Sequence, residues 1–136
     1  MTLLEEIIAF MELLDLDIGP VFSTKLPASP DRAVAVARYA GPESRLADNY
    51  DEPRIQVRTR GPASDVRVAE RDAETIYDAL NGLQDVTLPG GTLLLHMVGV
   101  QAGPVYIGQD QNRRDEYTVN FRAEVSRTAS HRENLT

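Results

Sequence analysis

The alternation of apolar and polar residues from Asp115 to Arg127 constrains the fold more than any other feature of the sequence. The apolar positions are Tyr117, Val119, Phe121, Ala123 and Val125. The polar positions are Thr118, Asn120, Arg122 and Glu124. Because successive side chains of a strand point to opposite faces, this pattern predicts a long strand with one buried and one solvent-facing side. Such a strand belongs to a sheet that other elements cover on one face only.

Four more segments have strand character: 31–39, 54–60, 92–100 and 105–107. In the second of these, Ile55, Val57 and Thr59 alternate with four polar residues, Arg54, Gln56, Arg58 and Arg60, which are expected to face solvent. The third is a nearly continuous apolar run, which at this length suits a central strand. The proline-rich stretch 20–31 is expected to form an extended arm, and residues 40–53 a long loop.

Two helices are predicted. Thr2 begins the first as N-cap, with Glu5 completing a capping box, and the helix is expected to end near Gly19 and Pro20. Its apolar stripe is Leu4, Ile7, Ile8, Met11 and Leu14, and its exposed acids are Glu5, Glu6, Glu12 and Asp15. The second helix starts at 63–65 and stops at Asn81-Gly82. Its inner stripe is Val66, Ala69, Ala73, Ile76, Tyr77 and Leu80, and its exposed residues are Arg67, Glu70, Arg71, Asp72 and Glu74.

These elements predict one α+β domain over residues 1–127, because a chain of 136 residues has room for a single core. The last three strands are joined by short links, so a mostly antiparallel sheet of about five strands is expected, with the two helices packed on one face. Residues 128–136 form a polar tail that is expected to be loose.

Composition excludes several classes of protein. With 14 basic and 21 acidic residues and a net charge of -7, the chain lacks the basic excess of a protein that binds nucleic acid regardless of sequence. There is no cysteine, so disulfides, thiol nucleophiles and cysteine-ligated zinc are excluded. The sequence has no signal peptide pattern and no apolar run long enough for a membrane span.

The sequence predicts no catalytic, cofactor or metal site. The turn 110–114 has Arg114 where a calcium loop needs an oxygen ligand, and Asn112 is expected to supply its left-handed residue. His96 and His131 have no zinc ligands at suitable spacing. Gly90-Gly91 lacks the lysine of a phosphate loop. The carboxylates at 48–52 lie in a proline-flanked loop that seldom buries such groups.

Charged residues on the polar sheet face and at the turn remain, and we interpret them as candidate interface residues. On the face they are Arg58, Arg60, Arg122 and Glu124, and at the turn Asp110, Arg113 and Arg114. In a monomer this is an ordinary solvated surface. In a ring the same residues meet complementary charges of a neighbouring subunit. The residues alone do not decide between these two states.

Several segments, taken in order, resemble a known family. They are Asp31–Val36 leading to Tyr39-x-Gly41, Pro53–Arg60, Ala73-x-x-Ile76-Tyr77-x-x-Leu80, Gly108-x-Asp110 and Arg114-x-Glu116–Phe121. Together they resemble the tail terminator or minor capsid proteins of long-tailed, siphovirus-like bacteriophages, over about residues 3 to 125. Within that family a glycine is expected in the turn after Asp110, where this chain has 112–114 as Asn-Arg-Arg.

The resemblance implies a non-enzymatic virion protein, without cofactor or membrane contact, that is assembled in the host cytoplasm. It implies a homohexameric ring at the head-proximal end of the tail tube, where it ends tube polymerisation. Its partners would be its own copies, the tail tube protein and a head-completion or connector protein, with DNA passing through the lumen without sequence-specific binding.

Two other functions fit the residues. A head-to-tail connector or neck component is also a ring, but it binds the portal side rather than the tube. A free-standing small-molecule-binding or enzymatic α+β domain would need a concave apolar pocket with a few convergent polar groups.

Overall fold

The computed structural model describes residues 1–128 and contains two helices and eight strands. The helices are α1 (Leu3–Leu13) and α2 (Arg67–Leu80). The strands are β1 (Val21–Ser23), β2 (Ala33–Ala40), β3 (Tyr50–Asp51), β4 (Arg54–Arg60), β5 (Gln84–Thr87), β6 (Leu93–Gly99), β7 (Val105–Gln109) and β8 (Asp115–Ser126). The predicted α+β class is confirmed. The tail predicted over 128–136 lies, apart from its first residue, outside the described residues.

Strand β8 is the centre of the sheet, whose order is β1-β2-β4-β8-β6-β5 with β3 and β7 also paired to β8. Along one edge of β8, β4 pairs with Glu116–Arg122 and β3 with the last two residues. Along the other edge, β7 pairs with the first residues and β6 with Phe121–Ser126. All pairs are antiparallel except β1 with β2. The 12 residues of β8 therefore hold two shorter strands on each side.

Three of the strands were not predicted, which is why the sheet is larger than the predicted five strands. β1 lies in the predicted arm, β3 in the predicted loop, and β5 between α2 and the turn at 88–91. They have between two and four residues each. Segments this short show no periodicity of their own, and pairing with a longer neighbour decides their conformation.

Both helices pack on the same face of the sheet, as predicted. α1 contacts β1 and β2, and α2 contacts β4, β6 and β8. The core between the layers is built from apolar residues of both, including Leu3, Ile7, Met11, Val36, Ile55, Val57, Ile76, Leu80, Met97, Val119 and Phe121. The Phe121 ring stacks on that of Tyr77 with centroids 6.5 Å apart. Within residues 1–128, the other sheet face carries no helix.

The first helix ends at Leu13, earlier than predicted. Leu14 is its C-cap, and Asp15 has the left-handed φ of 52°, which stops a helix well before Gly19 and Pro20. Leu14 is consequently exposed rather than part of the buried stripe. In α2, whose helix begins at Arg67 rather than 63–65, Val66 is likewise exposed.

Two carboxylates that were predicted to face solvent are buried, Glu6 at 1% and Asp72 at 2% exposure. Glu6 accepts hydrogen bonds from the backbone N–H (3.0 Å) and the hydroxyl of Thr92. Asp72 accepts bonds from Arg32 at 2.7 and 2.9 Å and from the Gly19 N–H. Those partners are far away along the chain, so helix periodicity alone did not reveal them. Over residues 1–128, neither helix is long and apolar enough to cross a membrane.

The capping box at the start of α1 is confirmed and gives a stability prediction. The Thr2 hydroxyl accepts from the Glu5 N–H at 3.1 Å, and the Glu5 carboxylate accepts from the Thr2 N–H at 3.0 Å. We expect Thr2→Ala to lower the free energy of unfolding by about 1 kcal/mol, because it removes the hydroxyl that accepts from the Glu5 N–H. Urea unfolding measures the loss. Thr2→Ser, which keeps the oxygen, is the control, and equal stability of the two variants would contradict the prediction.

Candidate assembly surfaces

The turn between β7 and β8 is organised by Asp110. One carboxylate oxygen accepts from the backbone N–H of Asn112 (2.9 Å) and of Arg114 (3.0 Å), and the other accepts from Arg114 Nε at 2.7 Å. Arg113, not Asn112, occupies the left-handed region, with φ of 61°. The prediction for Asn112 was therefore wrong. A non-glycine residue is held there because bonds on both sides fix the backbone, so the turn forms without glycine.

Arg114 is a structural residue of this turn and not an exposed one. Its side chain is 9% exposed, and besides Asp110 it contacts the Asp31 carboxylate at 3.2 Å and donates to the Ala28 carbonyl at 2.7 Å. The expectation that Arg114 is available at the tip was wrong, because this guanidinium is used to hold the segment around 28–31. Its part in an interface stays a prediction. Arg113, by contrast, is exposed.

Arg60 holds the same segment from the end of β4. It is 3% exposed, and its guanidinium donates to the carbonyls of Pro30 (2.7 Å) and Asp31 (2.9 Å). The expectation that Arg60 faces solvent was therefore wrong. Arg60 and Arg114 together fasten the end of the arm, residues 28–31, onto the sheet of its own chain.

The helix-free sheet face carries the other candidate residues. Arg58 is half-buried there and forms no ion pair with any residue in 1–128. Arg122 donates to Glu124 at 3.2 Å, but its Nε is buried without a hydrogen-bond partner. Glu124 also lies 3.4 Å from His96 Nδ1 and accepts from the Tyr50 hydroxyl at 2.8 Å. The Tyr50 bond first, and then His96 and Arg122, lower the pKa of Glu124 against the opposing effect of burial.

An exposed apolar segment adjoins this face. Val105, Tyr106 and Ile107 in β7 are 39%, 51% and 48% exposed, so neither side of this strand is covered. Among the strands of the described chain, β7 pairs with β8 only, so its outer edge is left without a neighbouring strand there. Exposed apolar strands at the edge of a sheet are common sites of association between protein chains.

The concave region beside α2 is lined mainly by charged residues. A groove of about 520 Å³ lies beside α2, and its lining includes Asp17, Arg32, Arg71, Glu74 and Asp78. Within residues 1–128, no three His, Cys, Asp or Glu side chains cluster as a metal site. The turn and the helix-free sheet face are therefore the regions whose chemistry requires a functional explanation.

Comparison with known protein families gives that explanation. The profile of a family described as bacteriophage tail terminator protein matches residues 11–127. The chain belongs to this family. The match covers all eight strands, α2 and the end of α1, which confirms the resemblance found in the sequence. A search of curated proteins gave no match. The family is a structural one of the phage tail, so this chain is a component of the phage virion.

The structure brings some of the candidate residues of this tail terminator together and leaves others apart. Asp110 and Arg114 form one cluster, and Arg122 and Glu124 form another. Sequence reasoning missed Asp31 and Tyr50, the partners that complete these clusters. No local signal identified them, because Asp31 is 83 residues from Arg114 and Tyr50 is 74 residues from Glu124.

The Asp110 turn of the tail terminator gives a pH-dependent prediction. Burial by itself raises the pKa of this carboxyl, but the bonds from Arg114 and Asn112 outweigh burial and lower it. A lowered folded-state pKa contributes stability that is present above the unfolded value near 4 and is lost as pH falls through the folded value. We expect wild type to be more stable than Asp110→Asn by a constant amount above about pH 5, and by less at pH 3.

Urea unfolding of the two proteins at several pH values measures this difference. A difference that stays the same from pH 5 to pH 3 would contradict the role given to the Asp110 carboxylate. Glu43→Gln, which changes an exposed loop carboxylate, is the control for the loss of one negative charge.

Proposed function

We propose that this chain ends polymerisation of the phage tail tube by forming a homohexameric ring at its head-proximal end and presenting a surface for head joining. The single observation that carries the proposal is the match of residues 11–127 to tail terminators. A structural protein that stops a growing tube needs to cover the exposed end of the tube and to offer a different surface beyond it. A closed ring of copies meets both requirements.

The surfaces of the chain support a ring of this kind. A ring uses heterologous contacts, in which two different patches of each subunit meet. The two-layer fold offers different sides to its neighbours, namely the helix layer and the helix-free sheet face. The candidate residues Arg58, Arg122 and Arg113 remain at least partly accessible for such contacts, whereas Arg60 and Arg114 act by shaping the segment around 28–31.

The proposed partners are its own copies, the tail tube protein and a head-completion or connector protein, with the assembled protein located at the head–tail junction of the virion. DNA passes through the lumen of the proposed ring without sequence-specific binding. The net charge of -7 supports free passage, because an acidic protein does not collect the phosphate contacts that would retain DNA. Assembly takes place in the host cytoplasm in this proposal.

The mass of the purified protein in solution tests the ring. Light scattering is measured over a series of protein and salt concentrations. We expect a species near six times the chain mass of 15.0 kDa, and the fraction of protein in this species should rise with protein concentration. A discrete dimer at all concentrations would contradict the ring. To separate a terminator from a connector, the same sample is incubated with tail tubes and with portal-bearing heads, and we expect binding to tube ends in the absence of heads.

A further inference from the structure

The helix-free sheet face carries Arg54, Arg58 and Arg122, and within residues 1–128 only Arg122 of these three pairs with a carboxylate, that of Glu124. Arg54 of β4 lies directly opposite Arg122 of β8 in the strand register, and like charges in this position destabilise a sheet. Arg54 and Arg58 form no ion pair within residues 1–128, and Arg122 Nε is buried without a partner. An acidic group placed over this face would therefore meet two guanidinium groups, those of Arg54 and Arg58, that have no ion pair within residues 1–128.

The helix layer carries the opposite charge. Glu70, Glu74 and Asp78 recur every four residues of α2, and all three are exposed. We call these three residues the acidic ridge. Like charges at this spacing destabilise an isolated helix. Asp78 also lies in the last turn of α2, where the helix dipole disfavours an anion and where no basic residue is present.

Nearby arginines do not neutralise the ridge. Arg67 and Arg71 both bind Asp65, at 3.2 and 3.7 Å. Arg32 binds Asp72 at 2.7 Å. Within residues 1–128, no ridge carboxylate has an ion-pair partner. The ridge is thus a row of carboxylates without ion pairs on the outer side of α2, away from the basic sheet face, and Glu70 at its start accepts from the Tyr117 hydroxyl at 3.5 Å.

We propose that copies of this chain bind head to tail, with the acidic ridge of one subunit on the Arg54, Arg58 and Arg122 face of the next. Both uncompensated surfaces belong to the same chain and lie on opposite sides of its two layers, so a second copy supplies the missing charge to each. A contact between two different patches repeats around a ring, whereas a self-complementary patch ends at a dimer. This inference rests on the proposed ring and identifies the contact that builds it.

Apolar surface accompanies the charges on both sides. Val105 of β7 pairs with Thr118 beside the basic face and is 39% exposed, and Val66, one helical turn before Glu70, is 60% exposed. Burial of such residues gives affinity, and the charges fix the partner and its register.

Reciprocal charge reversal tests the contact. The sheet-face variant carries Arg54→Glu and Arg58→Glu, and the ridge variant carries Glu74→Lys and Asp78→Lys. Each variant alone places like charges at every contact, so we expect both to remain monomeric where wild type assembles. In a one-to-one mixture the reversed face of one variant meets the reversed ridge of the other, and the native surfaces meet as well. Assembly should return, with the two variants alternating.

Controls separate this outcome from misfolding. Lys25→Glu with Arg38→Glu changes the net charge as much as the sheet-face variant at two exposed residues, and it should assemble like wild type. The sheet-face variant should melt no lower than monomeric wild type, since Arg54→Glu places opposite charges across from each other at Arg122.

The contact is overturned if either variant assembles alone as wild type does, if the mixture stays monomeric, or if wild type itself stays monomeric over the whole series. If the sheet-face variant forms normal assemblies but no longer binds tube ends, the basic sheet face contacts the tube protein and not a second copy of the chain. Capping of tubes by wild type is scored separately. If wild type and both variants all cap tubes, the proposed function is retained and this contact is rejected. If wild type does not cap tubes, the proposed function is rejected.

Discussion

Replacing Asp72 by alanine is expected to lower the free energy of unfolding by about 3 kcal/mol, because it removes one partner of a buried ion pair. The Asp72 side chain is 3% exposed and accepts two bonds from Arg32 and one from the Gly19 N–H. Arg32 is 40% exposed, so water compensates part of its loss. The Gly19 N–H is buried and is left without an acceptor, which adds to the cost.

Denaturant unfolding of Asp72→Ala at a fixed protein concentration measures this loss, since assembly also contributes to apparent stability. Glu12→Ala is the control: it removes an exposed carboxylate of the other helix, α1, that forms no ion pair in the described chain and takes no part in the acidic ridge. We expect it to change stability by less than about 0.5 kcal/mol. Equal effects of the two substitutions would show that Asp72 does not link α2 to the segment around Gly19 and Arg32.

The second large effect is expected for Glu6→Ala, with a loss of about 3 kcal/mol. Glu6 is 1% exposed, and its carboxylate accepts both the N–H and the hydroxyl of Thr92 and lies 3.5 Å from Arg127. Alanine leaves the buried Thr92 N–H unpaired and opens a void beneath the turn at 88–91. This carboxylate therefore joins α1 to the end of β8 and to the start of β6.

A double-mutant cycle with Gly90 isolates this contact. A Cβ on Gly90 would lie 2.7 Å from the Glu6 side chain, so Gly90→Ala should destabilise wild type. In the Glu6→Ala background the same substitution has room and should cost much less. Additive effects of the two substitutions would contradict the packing described here. Glu12→Ala, at an exposed position of α1, should leave stability nearly unchanged.

The parts of the fold that were predictable from sequence are those whose signal lies within one short segment, such as an alternation of apolar and polar residues or a capping box. β4 and β8 alternate over seven residues or more, and the Thr2 capping box is complete within four residues. β1, β3 and β5 are too short to show a period. Glu6 and Asp72 look like ordinary solvent-facing acids in a helical pattern, because the groups that bury and bind them come from distant parts of the chain.

The candidate interface was predictable as a face but not residue by residue. Alternation placed Arg58, Arg122 and Glu124 on the helix-free side, and the structure agrees with that placement. It placed Arg60 there too, but the returning segment at 28–31 covers this residue. The same segment also covers Arg114, which the sequence placed at the turn as a candidate interface residue. That Arg54 lies opposite Arg122 follows from the register of β4 with β8. No local sequence pattern contains this register.

The length of tail tubes tests the central claim most directly. A phage or prophage that encodes this chain is compared with a strain in which its gene is deleted, and tube lengths are measured by electron microscopy. We predict overlong or variable tubes without attached heads in the deletion strain. We also predict that adding the purified chain to an extract during tube growth restores one uniform length and head joining. Tubes of uniform length without the chain, or continued growth after its addition, would contradict the account.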